Sequence, residues 1–170
     1  MIDFSGQRVF LVGGGPSLKG FDFSQLTDKG IIVGINQSIL DADCDLGVSI
    51  DQRFMLDDAT AQELNMFAGL RSLLLCPPTS QAKAVLGKIP NATIIPENGS
   101  FALDPGACHR QGGTSGYAAL DIVASRGAKD IVLLGFDYRP GHYHDGYLWS
   151  KGDKDNWMQW ALNFGPMNKI

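Results

Sequence analysis

Four apolar residues, Val9-Phe10-Leu11-Val12, run directly into Gly13-Gly14-Gly15-Pro16-Ser17. An apolar run of this length without polar alternation predicts a strand buried on both faces, and such strands belong to parallel sheets. Three glycines at its end let the backbone turn sharply and approach another group closely. Pro16 suits the first position of a short helix, and Ser17 can help cap it. A strand, a glycine turn and a helix start together form an anion site, because unsatisfied N–H groups point outward there. Gly13, Gly14, Gly15, Pro16 and Ser17 are therefore candidates to hold a nucleotide phosphate. A tight turn between packed elements accounts for the same glycines equally well.

The pattern recurs. Strands are predicted over 8–13, 31–35, 46–50, 72–76, 93–95 and 131–134. Residues 17–29 read as an irregular connection with one helical turn. One helix is predicted behind the capping-box pattern Thr60-Ala61-Gln62-Glu63, with Gly69 as its stop. Others are predicted over 80–86, from Thr114 to about Arg126, and over 155–164. The stretch from Pro96 to Gln111 has no period and reads as a long loop, which in compact folds is often functional. Short apolar strands alternating with helices predict an α/β, Rossmann-like fold: a mostly parallel sheet with helices on both faces. The 170 residues suffice for one such domain spanning 1–170.

In such a sheet, ligands bind outside the carboxyl ends of the strands. The residues predicted there are Gly13 to Ser17, Asn36, Asp51 and Asp137, with Gly113, Thr114 and Ser115 opening a helix beside them. Each has a plainer role available: Asn36 and Asp51 suit helix caps, and Asp137 suits a turn. Asp51 and Asp137 can also hold Mg²⁺ together with substrate phosphates, since such sites use few protein carboxylates. His142 and His144 lie in a polar segment at i and i+2 and are candidates for proton transfer. Their spacing is not a specific zinc signature, and solvated histidines in a polar loop explain them as well.

Two nucleotide signatures are absent. No G-x-x-x-x-G-K-[ST] stretch occurs, which argues against a P-loop ATPase. Leu18 stands where the dinucleotide fingerprint needs glycine, and strand 2 ends in Asn36 rather than an acidic residue. A dehydrogenase is thereby disfavoured. The formal charge is 14 − 18 = −4, which weighs against a nucleic-acid surface. No apolar run approaches the roughly 20 residues of a membrane span. Cys44, Cys76 and Cys108 form no CxxC pair, and an odd count without a signal-peptide layout points to a reducing cytoplasm.

The stretch Leu11-Val12-Gly13-Gly14-Gly15-Pro16-Ser17-Leu18, then Asn36-Gln37, Asp51, Gly113-Thr114-Ser115-Gly116 and Gly135-Phe136-Asp137, resembles one superfamily. It includes the archaeal 6-hydroxymethylpterin diphosphokinase-like proteins and the bacterial sialyltransferases that use CMP-sialic acid, and short phage and prophage proteins look closest. The resemblance implies a Rossmann-like fold with a nucleotide, a CMP-sugar or an ATP-like donor, at the glycine turn. The sialyltransferases' nucleotide-contacting positions match Gly14, Asn36, Asp51 and Ser115, although the family carries Asn where this chain has Gly14 and Asp51. Its general-base histidine falls where this chain has Trp149, ahead of Ser150-Lys151. The diphosphokinase-like branch uses a triphosphate with Mg²⁺, which suits Asp51.

These features lead to an expected nucleotide- or nucleotide-sugar-dependent transferase. His142 or His144 would take the acceptor proton, and Asp137 would orient the acceptor or bind Mg²⁺. The alternative is a non-catalytic nucleotide-binding or assembly protein of phage or prophage origin. The chain's end soon after its last predicted helix leaves room for a segment from a neighbouring subunit of a homo-oligomer.

Overall fold

The computed structural model describes residues 2–95, 97–98, 108–109, 114–137 and 141–144. The predicted helix over 155–164 lies outside them. The chain opens with β1 (Arg8–Val12), two 3₁₀ turns (Pro16–Leu18 and Phe23–Leu26) and β2 (Ile31–Ile35). It continues through α1 (Ser38–Asp41), β3 (Leu46–Ser49), α2 (Gln52–Leu56), α3 (Asp58–Leu70) and β4 (Ser72–Leu75). Next come α4 (Ala82–Lys88) and β5 (Thr93–Ile94). Two short strands, β6 (Glu97–Asn98) and β7 (Cys108–His109), pair in parallel within the stretch expected to be a loop. Then α5 (Ser115–Ser125) leads to β8 (Asp130–Leu134).

Six strands form one sheet in the order β5-β4-β3-β2-β1-β8, and every pairing is parallel. This is the expected α/β, Rossmann-like arrangement. Strands β1 to β4 bury both faces because their residues alternate between two apolar cores. Val9, Leu11, Val33, Val48 and Leu74 pack with Ala118, Ile122 and Val123 of α5. Phe10, Val12, Ile32 and Leu75 pack with Ile39 of α1, Phe54 of α2, Leu64 of α3 and Val85 of α4. The sheet thus has α1 to α4 on one face and α5 on the other. The chain lays β1 to β5 outward in one direction, then returns to place β8 on the free side of β1. Strand order reverses between β1 and β8, the position where open α/β sheets form their ligand crevice.

Several local expectations are corrected. The capping box at Thr60 is not the start of its helix. Asp57 caps α3 by accepting the Thr60 N–H at 3.0 Å, and Thr60 sits inside the first turn with its hydroxyl on the same carboxylate. Gly69 does not stop that helix, which runs to Leu70. The helices α1 and α2 have four and five residues, too few to show a period in the sequence. Cys76 is disulfide-bonded, so the cysteine count does not support a reducing compartment. Among the described residues no helix is long and apolar enough to cross a membrane.

Candidate functional site

At the carboxyl end of β1 the glycine turn meets the segment that follows β8. The Gly13 N–H donates to the Leu134 carbonyl at 2.8 Å, and the Gly15 N–H to the Gly135 carbonyl at 2.7 Å. The Ser17 N–H donates to Asp137 Oδ2 at 2.7 Å. The Leu18 N–H turns back to the Gly15 carbonyl. Most of the outward donors expected to cradle a phosphate therefore already have acceptors inside the chain. At the start of the 3₁₀ turn the anion is the protein's own Asp137. The glycines are explained by the same contacts. A Cβ on Gly15 would overlap Asp137 Oδ2 and lie 2.6 Å from the Gly135 carbonyl, and one on Gly14 would overlap His142 Nε2. Pro16 opens the turn as expected, but Ser17 gives it no side-chain cap.

One strand further along, the ends of β2 and β3 meet the start of α5, and the arrangement differs. Asn36 stands in the left-handed region, at φ 54°, just past β2. Its Oδ1 accepts the Ser49 hydroxyl at 2.7 Å and the Ser115 hydroxyl at 3.0 Å. Each of those oxygens itself accepts a backbone N–H: Ser49 from Asp51 at 3.2 Å, and Ser115 from Ile50 at 3.1 Å. Each serine thus accepts one backbone N–H and gives its single hydrogen to the amide oxygen. In this arrangement the NH₂ end of the amide, with two donors, is without an acceptor among the described residues. The side chain does not cap α1, the plainer of the two roles expected for it. Thr114 caps α5 by accepting the Tyr117 N–H at 3.1 Å, which places Ser115 at the first helical position. Asp51 caps α2 through the Arg53 N–H at 3.0 Å and lies 3.6 Å from the Arg53 guanidinium.

The two candidate histidines have different chemistry. His142 sits over Gly14 and stacks on Tyr143, ring centroids 4.8 Å apart. Its Nδ1 accepts the His144 N–H at 3.0 Å, so the neutral ring carries its hydrogen on Nε2. Burial foremost, then the neighbouring His144, push this imidazole down to about 4, against a weaker upward pull from Asp41. In this form His142 presents a donor over the turn and holds no lone pair there to take a proton. His144 Nδ1 instead lies 3.3 Å from Asp41 Oδ2. A carboxylate beside Nδ1 favours the tautomer with its lone pair on Nε2, the form of a general base. Asp41 also accepts the Tyr143 hydroxyl at 2.7 Å.

Gly113 lies outside the described residues. Asp137 accepts the Ser17 N–H, and Asp51 accepts the Arg53 N–H at the start of α2. No group of three or more His, Cys, Asp or Glu suited to a metal occurs among the described residues. Any Mg²⁺ here would depend chiefly on ligand phosphates. The buried Cys44 is no nucleophile, because burial pushes its thiol up to about 12. Sequence reasoning missed Ser38, Asp41, Ser49 and Tyr143. Ser49 alone left a signal, a hydroxyl at the end of an otherwise apolar strand. Comparison with protein-family models, with curated proteins and with solved structures finds no significant match.

Proposed function

We propose that the chain binds a nucleotide or nucleotide-sugar at the carboxyl ends of β2 and β3 and transfers a group from it. The observation that carries this reading is the Asn36 amide at the end of β2, whose oxygen takes both serine hydroxyls and whose NH₂ donors have no acceptor among the described residues. A held amide donor suits a nucleobase edge or ribose, both of which offer acceptors. The resemblance to the diphosphokinase-like and sialyltransferase superfamily supports the same ligand class. His144, oriented by Asp41, is the base. An acceptor hydroxyl gives its proton to Nε2 while its oxygen attacks the transferred group, and the nucleotide leaves with the bonding electrons. Asp137 is a positioning residue for the glycine turn.

Thermal shifts against CMP, CDP, UDP, GDP, ADP and ATP, each with and without Mg²⁺, test the binding. A nucleotide at 100 times its Kd adds about 2.7 kcal/mol. Stabilisation by cytidine nucleotides without Mg²⁺ supports a glycosyltransferase-like donor, and stabilisation only by a triphosphate with Mg²⁺ supports a diphosphokinase-like one. No shift with any of the six overturns the reading. With a turnover assay, His144→Ala should lower kcat on the order of a hundredfold, and His142→Ala should spare it. A second reading, a nucleotide binder without turnover of phage or prophage origin, draws on the glycine turn, whose donors the chain's own acceptors already use. Binding with no transfer to any acceptor would select it.

A further inference from the structure

We propose that Gly141–His144 is a latch closed over the glycine turn, and that protonation of His142 releases it. The segment crosses the carboxyl end of β1 and, among the described residues, is held there at three points. The Tyr143 N–H donates to the Gly14 carbonyl at 3.2 Å. The Tyr143 hydroxyl donates to Asp41 Oδ2 at 2.7 Å and lies 3.3 Å from Ser38 Oγ, which itself donates to the Gly13 carbonyl at 2.7 Å. The His142 ring, stacked on Tyr143, covers Gly14. The third point is sensitive because a contact inside the latch sets the ring over Gly14. Nδ1 of His142 accepts the His144 N–H, and the proton gained on acidification must go to that nitrogen. Two donors would then face each other, so the contact breaks.

The charges around the ring act in the same sense on balance. His144 flanks it within the latch and repels an imidazolium. Asp41 of α1 attracts one but is already engaged by Tyr143 and His144. Asp137, at the adjoining Gly15, is engaged by Ser17. The closed latch also buries the ring, and burial foremost, then His144, holds the imidazole down at about 4 from an ordinary 6.5. The sign follows: closure is complete above about pH 6.5 and weakens as pH falls towards 4. Solvent screening at a half-exposed ring limits the weakening to about tenfold to a hundredfold.

The latch belongs to the chain alone; its meaning as a gate rests on the nucleotide reading above, since a ligand reaching the glycine turn from β2 must displace His142. The test uses the unmodified chain first. Ring titration of His142 by NMR is paired with amide exchange at Tyr143 and His144, corrected for intrinsic rates, from pH 8 to 4.5. The expected result is a depressed titration and a loss of protection at those two amides of about tenfold or more, with Val33 in β2 unchanged. An ordinary midpoint with constant protection overturns the latch. Gly14→Ala, whose Cβ displaces only the ring, should open the latch at pH 8, and His142→Gln should abolish the pH dependence. A His142→Gln chain that still loses protection on acidification overturns the proposal. CMP and ATP affinities are measured in the same series. Opening without binding of either at any pH upholds the latch and sinks the nucleotide reading.

Discussion

The two ends of the site solve the same problem in opposite ways. Where β1 meets β8, most backbone donors of the glycine turn are spent on Leu134, Gly135 and Asp137, and His142 lies on top. Where β2 and β3 meet α5, the polar groups are also satisfied, yet the network ends in an amide whose donors face away from it. The first end is closed by its own chain; the second is fixed and still has bonding capacity. A glycine-rich turn is therefore not by itself a ligand cradle. What distinguishes a binding position is a polar group held rigidly with capacity left over.

The largest predicted effect breaks the closed end. Gly15→Ala puts a methyl against Asp137 Oδ2 and 2.6 Å from the Gly135 carbonyl. The second contact is backbone and cannot swing away. We expect a loss on the order of 3 kcal/mol, measured by urea denaturation, as in other overpacked sites. A loss under about 1 kcal/mol would mean that the two chain segments are not locked together.

Next in size is the open end. Asn36→Ala removes the acceptor for two serine hydroxyls, which should cost about 2 kcal/mol. Asn36→Asp keeps an acceptor for both and should cost less, but it removes the two outward donors. The comparison predicts that Asn36→Asp folds and loses nucleotide binding. Retained binding in a folded Asn36→Asp chain would show that the outward amide does not contact the ligand.

Ser38 connects the two ends to the latch, since its buried hydroxyl donates to the Gly13 carbonyl and lies near the Tyr143 hydroxyl. Ser38→Ala should cost about 1 kcal/mol in chemical denaturation. It should also speed amide exchange at Tyr143. Unchanged exchange would confine Ser38 to the turn.

Much of the fold was legible because its signals are local. Each main strand is a short apolar run, and both faces of β1 to β4 are covered, as the absence of polar alternation requires, while β8 at the sheet edge leaves Leu133 exposed. The site was legible as a set of strand ends and no further. Asn36 could be proposed, but its partners lie 13 and 79 residues away, and only their meeting decides between cap and anchored amide. The glycines were read as room for a ligand because Asp137 contacts Ser17 across 120 residues. His142 and His144 were indistinguishable in sequence. A single backbone hydrogen bond and one carboxylate separate their chemistry.

The smallest predicted effect sharpens the comparison from the far side of the same two strands. At their amino ends, Arg8 of β1 and Asp130 of β8 form an ion pair at 3.4 Å, with side chains 54% and 48% exposed. Both groups stay hydrated, and holding two side chains in one geometry offsets most of the attraction. Arg8→Ala should therefore cost no more than about 0.5 kcal/mol, and less in high salt. The same strand pair would then tolerate loss of a charge at one end and reject one methyl at the other. If Arg8→Ala instead cost as much as Gly15→Ala, the β1–β8 pairing itself would be the weak joint, and the damage in Gly15→Ala could not be assigned to the carboxyl edge.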